Sequence, residues 1–322
     1  MLRGTGLLLV GLLGIHGIPA HAETFESAVP QATSRVDLPE RGPGLLGLHG
    51  TLAARTFFRS EDLSWNIAGG AVNIISELEW ERVRSAGVSF EGQLDLPHAW
   101  TLRGALDYGR ILAGEIRDSD YNGSNRTLEF SRSISQTERG SVWDVALALG
   151  WTRPLGARFT MTPLVGLSYH QQNYNIRDGV QIIPPTGSAP LAGLDSDFDS
   201  EWYGFFWGAE LRMQISEQCE ALARFVSHHT AYRGEGRFNL RTDLGDPSFT
   251  HSTVAEGSTF RVGLAYDLRD AWTLELLALY RDWESDSGRT TFRLAAGGSS
   301  RQRLNDVELR SGSISLGLRY AF

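Results

Sequence analysis

The chain has 322 residues, a formal net charge of −8 at pH 7 and one cysteine, Cys219. The acidic balance argues against a nucleic-acid partner, which would require a basic surface. A lone cysteine excludes an internal disulfide.

The first 22 residues have the features of a secretory signal peptide. Arg3 precedes an apolar run at 7–15, and Ala20-His21-Ala22 is a small-residue cleavage site. A polar tail follows at 23–44, and we assign 45–322 to a single β-barrel. No later apolar run reaches the 18 residues that a membrane-spanning helix needs.

From residue 46 onward, apolar and polar residues alternate in ten segments, which is the period-2 pattern of strands. In "SVWDVALALGW", for example, Trp143, Val145 and Leu147 share one face and Asp144 lies on the other. The segments lie at about 46–59, 74–96, 99–113, 140–153, 158–175, 200–216, 219–238, 253–268, 271–284 and 306–322.

The connections between segments alternate in length. Four are tight turns, "LPHAW", "RPLGAR", "SEQCE" and "LRDAW". Five long polar loops are predicted at about 60–73, 114–139, 176–199, 239–252 and 285–305. Tight turns at one end and long loops at the other are typical of outer-membrane barrels.

The two faces of the strands favour lipid outside. The apolar face ends in aromatic residues, as interfacial girdles do: Trp100, Tyr108, Trp143, Trp151, Trp272 and Tyr280. The other face carries Glu79, Glu91, Arg103, Asp107, Asp144, Glu210, Arg212, Arg261, Glu275 and Arg319. We therefore predict an all-β fold, a ten-stranded antiparallel transmembrane β-barrel with short periplasmic turns and long outer loops. Its lumen would be filled by side chains, which disfavours a porin.

Three features resemble the omptins, a family of ten-stranded outer-membrane endopeptidases. Ser76, Leu78 and Trp80 match the Ser-x-Leu-x-Trp pattern of the second omptin strand, and Asp118 and Asp120 match the Asp-x-Asp pair of the second outer loop. The third is the topology with its closing strand. The resemblance implies that Asp118 and Asp120 hold or trade a proton while a water attacks a peptide bond.

The other half of the omptin site differs. The family has Asp-x-His in the fourth outer loop, and Glu235-Gly236-Arg237 stands there in this sequence. Phe58 and Arg233 replace the acidic residues that select basic substrates. A base could come from His228, expected on the lumen face, or from His251 in the loop.

The same loop also fits a calcium-binding pattern. Asp118, Asp120, Asn122, Gly123 and Glu129 have the spacing of a twelve-residue calcium loop. Strands rather than helices flank it, so an EF-hand proper is excluded. The acidic run at 195–201 could hold a cation or bridge to lipopolysaccharide, or it could be a solvated loop.

Two functions therefore remain open. One is a non-catalytic surface role in which outer loops bind cations, lipopolysaccharide or another surface, within outer-membrane lipid. The other is a surface aspartyl-type endopeptidase that uses Asp118 and Asp120, with His228 as partner, on a peptide or protein substrate. The absence of Asp-x-His favours the first.

Overall fold

A computed structural model describes residues 48–184 and 189–322. The predicted signal peptide, the polar tail and the first residues of the predicted barrel lie outside these ranges. The described chain folds into fourteen strands and one short 3₁₀ turn, Pro97–Ala99. Within these ranges, no helix has the length and apolar character needed to cross a membrane.

The strand bounds are as follows: β1 His49–Gly69, β2 Val72–Asp95, β3 Trp100–Gly123, β4 Thr127–Gln136, β5 Ser141–Trp151, β6 Arg153–Pro154, β7 Phe159–Ile183, β8 Ala189–Pro190, β9 Ser196–Gln214, β10 Cys219–Arg237, β11 Leu244–Arg269, β12 Trp272–Ser285, β13 Gly288–Leu294 and β14 Ser299–Ala321.

The sheet closes on itself as a ring of ten positions. β5 pairs with β3 and β7 at one level, and β4 takes the same place at a higher level. β12 and β13 likewise share one place between β11 and β14. Antiparallel pairing of β14 with β1, from Ala321 against Thr51 to Arg303 against Ala68, closes the ring. The predicted ten-stranded antiparallel architecture is confirmed.

The two ends of the ring differ, and we call them the turn end and the loop end. The four predicted tight turns all lie at the turn end. The predicted long loops are wrong in extent, because the strands continue through most of them. β1 and β2, for example, are joined only by Gly70 and Ala71. These extensions are polar on their outward face, and that polarity suggests a loop when the sequence is read without the pairing.

The half of the ring nearer the turn end presents a band of apolar side chains outward. Leu147, Leu167 and Ile314 are 55%, 64% and 61% exposed. Paired aromatic rings lie on this face, with centroids 4.4 Å apart for Tyr108 and Trp143. This is the arrangement that the sequence predicts for a lipid-facing surface with aromatic girdles.

Inside this lipid band, arginines and carboxylates form a closed network. Arg55 donates to Glu275 Oε2 at 2.9 and 2.6 Å and to Glu91 at 3.3 Å. Arg224 bridges Glu91 and Glu210. Buried charges of this kind are tolerated because each has an opposite partner. The predicted lumen position is confirmed for Glu91, Glu210 and Glu275.

Towards the loop end, the interior becomes aromatic. Asp144 marks the change, bound by Arg59, by Arg281 at 3.3 Å and by His170 Nδ1 at 2.7 Å. Above it lies an aromatic core in which Trp80, Trp202, Trp283, Tyr174, Tyr232 and Phe198 are each at most 1% exposed. Network and core together occupy most of the described interior, as expected for ten strands.

A β-bulge on β2 reverses which residues face inward. The register against β1 slips between Glu61 and Leu63, where Arg82 has a φ of 51°. Below the bulge, odd-numbered residues of β2 such as Glu91 face the lumen. Above it, even-numbered residues such as Trp80 are interior. Glu79, predicted in the lumen, lies above the bulge and pairs with Arg117 on the outward face, so that prediction is wrong.

Candidate functional site

A cavity of about 780 Å³ lies at the loop end, above the aromatic core. Its volume falls within the range of about 300–1,000 Å³ that is usual for ligand sites. Its polar lining consists of Ser76, Asp118, Asp120, Asn122, Ser131, Ser133, Ser135, Gln181, Ser196, Arg241, Asp243, Ser300 and Gln302. Its aromatic lining consists of Trp65, Tyr121, Phe130, Phe238, Phe249 and Phe292. We call it the loop-end cavity.

One wall of the loop-end cavity is a polar sheet surface. Asp120 pairs with Ser76 on β2 and with Ser131 on β4, so the three side chains form a row. The next row joins Asp118 with Ser133 on β4. Residues paired in this way have Cβ atoms about 5 Å apart, and the two rows are about 7 Å apart along the strand. The result is a flat patch of hydroxyls and carboxylates.

This wall exists because of the bulge. On β3, odd-numbered residues such as Arg103 and Ile111 are interior below the level of the bulge, whereas Ile116 is interior above it. The pairing register between β2 and β3 shifts at Ala113. The inward-facing residues of β3 therefore change from odd to even numbers at the level where those of β2 do. Unbroken alternation from Arg103 would have turned Asp118 and Asp120 outward.

The opposite wall is aromatic. Phe249 lies on β11, the eighth of the ten ring positions, across from β3, the third. Its ring packs against Phe238 with centroids 5.1 Å apart and against Phe292 with centroids 5.7 Å apart. Phe238 and Phe292 are half-buried and line the cavity. The cavity therefore has a hydrogen-bonding side and an aromatic side.

The carboxyl groups of the polar wall have raised pKa values. Both lie beyond Leu112, the last apolar residue of β3 in the lipid band. Burial, and then the charge of Asp120, raise the pKa of Asp118 to about 7. Burial also raises the pKa of Asp120, against hydrogen bonds from Ser76 and Ser131. The pair therefore carries a proton near neutral pH.

Arg241, in the connection between β10 and β11, is the described cation whose charge acts on both aspartates. Its guanidinium donates two hydrogen bonds of 2.8 Å to Asp243. The charge of Arg241 is therefore largely balanced by Asp243, and about one negative charge remains on the aspartate pair.

The structure does not bring the proposed base to the aspartates. His228 lines a different cavity, of about 110 Å³, in the lumen with Asp144 and His170. Its ring nitrogens lie 3.4 Å from Ser168 Oγ and 3.2 Å from Thr259 Oγ1, so its polar partners are hydroxyls. No histidine lines the loop-end cavity among the residues that the structure describes.

The residues that stand in place of the omptin Asp-x-His also point elsewhere. Even-numbered residues of β10 such as Tyr232 are interior, so Glu235 and Arg237 face outward. Arg237 bonds Glu235 there and donates to Asp199 at 3.1 Å. The acidic run at 195–201 thus forms ion pairs on the outer surface, including Arg177 with Asp195 at 2.6 Å.

His251 lies within the aromatic core, 2% exposed. Its ring meets Trp65 edge-on with centroids 4.6 Å apart, and neither nitrogen has a described hydrogen-bond partner. This position is above the lipid band, and burial lowers the pKa of His251 to about 3. The ring is neutral at physiological pH.

The four residues of the calcium pattern do not converge. Asp118, Asp120 and Asn122 line the loop-end cavity, but Glu129 pairs with Tyr121 in the hairpin register and receives two hydrogen bonds from Arg132. Across the described ranges, no group of three or more histidine, cysteine, aspartate or glutamate residues is arranged to hold a metal ion.

Sequence reasoning missed several cavity residues. Ser131, Ser133 and Ser135 alternate along β4, and this spacing could have indicated one face of a strand. The sequence predicts a loop there because the apolar residues of β4, Leu128, Phe130 and Ile134, do not continue the alternation over a whole strand. Arg241 carries no local signal, because its place depends on the fold of the whole ring.

Comparisons with known proteins agree with the fold. The family described as "Pom: Protochlamydia outer membrane protein" matches residues 55–322. The outer membrane protease OmpT from Escherichia coli superposes with a TM-score of 0.70 at 12% identity, over 87% of this chain and 100% of that chain. The outer membrane protein OprG from Pseudomonas aeruginosa gives 0.36 at 10% identity, over 85% and 97%. No curated protein matches the sequence significantly. The match to OmpT confirms the expected omptin-like barrel fold, and at 12% identity the likeness extends to fold alone.

Proposed function

The chain belongs to the Protochlamydia outer membrane protein (Pom) family and is a bacterial outer-membrane β-barrel, and from that premise we propose that it binds a ligand in the loop-end cavity. The loop end would face the cell exterior, with lipid and lipopolysaccharide around the outward face. The proposed role is binding and not turnover.

The observation that carries this proposal is the composition of the cavity. A partly open cavity of about 780 Å³ has hydroxyls and carboxylates on one side and aromatic rings on the other. An apolar pocket with a few convergent polar groups is the usual form of a ligand site. A general base for attacking a peptide bond should lie within hydrogen-bond reach or one water of the aspartates, and no described histidine lines the cavity that holds them.

Ligand-observed NMR tests this proposal. The barrel in lipid nanodiscs is mixed with small probes: toluene, butanol, butylamine and methyl glucoside. Ser133→Phe, which fills the polar wall, serves as the blocked control, and Ser131→Trp is a second if the first does not fold. We expect at least one probe to bind the parent and not the blocked variant. Equal signals for both proteins with every probe would refute a ligand-binding cavity.

An omptin-type endopeptidase is the second candidate. It is favoured by two neighbouring carboxyls that share a proton near neutral pH in an omptin-like barrel. A mixed peptide library incubated with the parent, with Asp120→Asn and with a calcium-chelated sample separates the two readings. Cleavage by the parent that is lost only in Asp120→Asn would replace the binding proposal with the enzyme.

A further inference from the structure

We infer that the ligand of the loop-end cavity is a saccharide, held with its hydroxyls on the serine and aspartate rows and its C–H face on the phenylalanine wall. This inference rests on the proposed binding function and names its ligand class.

The first argument is the hydrogen-bonding capacity of the whole cavity lining. Six serine hydroxyls line the cavity, and each can donate one hydrogen bond and accept others. They are Ser76, Ser131, Ser133, Ser135, Ser196 and Ser300. The amides of Asn122, Gln181 and Gln302 add further donors and acceptors. Part of this capacity is used within the protein, because Ser196 donates to Asn239, Gln181 donates to Ser131 and to two backbone carbonyls, and Ser76 and Ser131 bond Asp120. A ligand without polar groups would leave the remaining hydroxyls, at Ser133, Ser135 and Ser300, dehydrated and unpaired, which costs about 1–3 kcal/mol for each group.

The second argument is the aromatic wall opposite. A pyranose ring presents C–H groups on its flat faces and hydroxyls around its rim. Phe238 and Phe292 offer partly exposed ring surface fixed by contact with Phe249. A sugar ring between the two walls would satisfy both at once. An alkyl chain would match only the aromatic wall, and a small ion only the polar wall.

The third argument is charge. Asp118 and Asp120 share a proton near neutral pH, and Asp243 balances Arg241. The cavity therefore offers strong acceptors and carries about one net negative charge, which the two aspartates share. That charge disfavours a carboxylate ligand, whereas the hydroxyls of a neutral polyhydroxyl ligand can donate charge-assisted hydrogen bonds to the aspartates.

Two buried polar groups in the lining point the same way. Trp65 lines the cavity and is 3% exposed, and its indole N–H has no hydrogen-bond partner in the described ranges. The side-chain oxygen of Gln302, also in the lining, has none either. Unpaired buried groups beside a cavity are usually completed by water or a ligand.

Calorimetric titration of the full chain in nanodiscs with three probes tests the inference: maltotriose, cellotriose and triacetylchitotriose. We expect at least one to bind, with affinity reduced tenfold or more in Asp120→Ala and in Phe292→Ala. Asp197→Ala, which removes an aspartate from the outward face of β9, is the matched control and should leave the affinity unchanged. Ser133→Phe should abolish binding.

The outcomes separate this inference from the broader proposal. If toluene or butanol binds in a manner sensitive to Ser133→Phe but no trisaccharide does, the saccharide class is overturned and the binding function stands. If neither kind of probe binds, both are overturned. Trisaccharide binding that survives Asp120→Ala and Phe292→Ala unchanged would place the sugar elsewhere and overturn the inference.

Discussion

The proton on Asp118 gives the barrel a dependence on pH that one substitution should remove. Burial and Asp120 move the pKa of Asp118 from 3.8 to about 7. Between these values the folded protein holds a proton that the unfolded chain releases. Stability therefore falls as pH rises across this interval and levels off above it. Asp118→Asn has no such proton, so its stability advantage over the parent should grow from pH 4 to pH 7.

The size of the effect follows from the same shift. The full change in pKa corresponds to at most about 4 kcal/mol in the free energy of unfolding. Asp118 is half-buried, and solvent screening reduces that limit. We expect the difference between Asp118→Asn and the parent to increase by about 1–3 kcal/mol between pH 4 and pH 7.

Urea unfolding of the barrel in lipid vesicles, followed by tryptophan fluorescence, measures this difference. Ser133→Ala is the control, because it changes the same wall without removing a titratable group. Its difference from the parent should not vary with pH. A constant difference between Asp118→Asn and the parent at every pH from 4 to 8 would refute a raised Asp118 pKa. Carbon-13 NMR of labelled aspartate would then locate the true midpoint.

Four further predictions concern the interior and the loop end. Trp80→Ala, at a fully buried position, should lower the free energy of urea unfolding by about 3–5 kcal/mol. A loss no larger than that of lipid-facing Trp143→Ala would contradict the aromatic core. Arg55→Ala should cost up to about 3–5 kcal/mol because it removes the cation on Glu275 Oε2 and one partner of Glu91, and leaves buried Glu275 with Arg319 alone. The more exposed Arg319→Ala should cost less, and equal costs would argue against a closed network. Planar-bilayer recordings should show no steady conductance, since network and core fill the lumen, and reproducible open channels would contradict that packing. Calcium or a chelator should leave the midpoint of thermal unfolding unchanged, because Glu129 is bound by Arg132 and does not face the aspartates. A calcium-dependent rise in that midpoint would support the calcium-binding loop instead.

The lipid-facing half of the fold could be predicted from sequence because lipid and lumen impose opposite demands on alternate residues. Trp143, Val145 and Leu147 face outward while Asp144 faces the ion network, as their spacing indicates. Ten positions and the tight turns followed from counting such segments. This alternation depends only on residues close together in the chain, so a single sequence is enough to detect it.

Beyond the lipid band, the same reasoning failed for a physical reason. There the outward face meets water and the interior is aromatic, so apolar residues change sides. Leu63 and Trp65 are interior in a stretch that was assigned to a loop. The bulge at Arg82 then changes which residues of β2 and β3 face inward, and no residue type in the sequence marks its position.

The candidate site was predicted in part. Asp118 and Asp120 were correctly expected to lie together, since residues two apart on a strand share a face. The sequence wrongly predicts His228 as the partner of the aspartates, because alternation shows which face a residue lies on but not its height along the barrel. The serine rows and Arg241 emerge only when strands distant in sequence are brought into register.

The bulge at Arg82 has a consequence for how this surface can change over evolutionary time. Each extended strand carries two alternative linings, one displayed inward and one held outside. On β2 and β3 the inward set is Ser76, Asp118 and Asp120, and the outward set includes Glu79, Glu81 and Arg117. A single-residue insertion or deletion near the bulge in β2 would turn Ser76 outward and its neighbours inward, and one in β3 would do the same for the aspartates, while the strands below kept their phase. Related barrels could thus acquire a new specificity in one genetic step, without altering a residue that touches lipid.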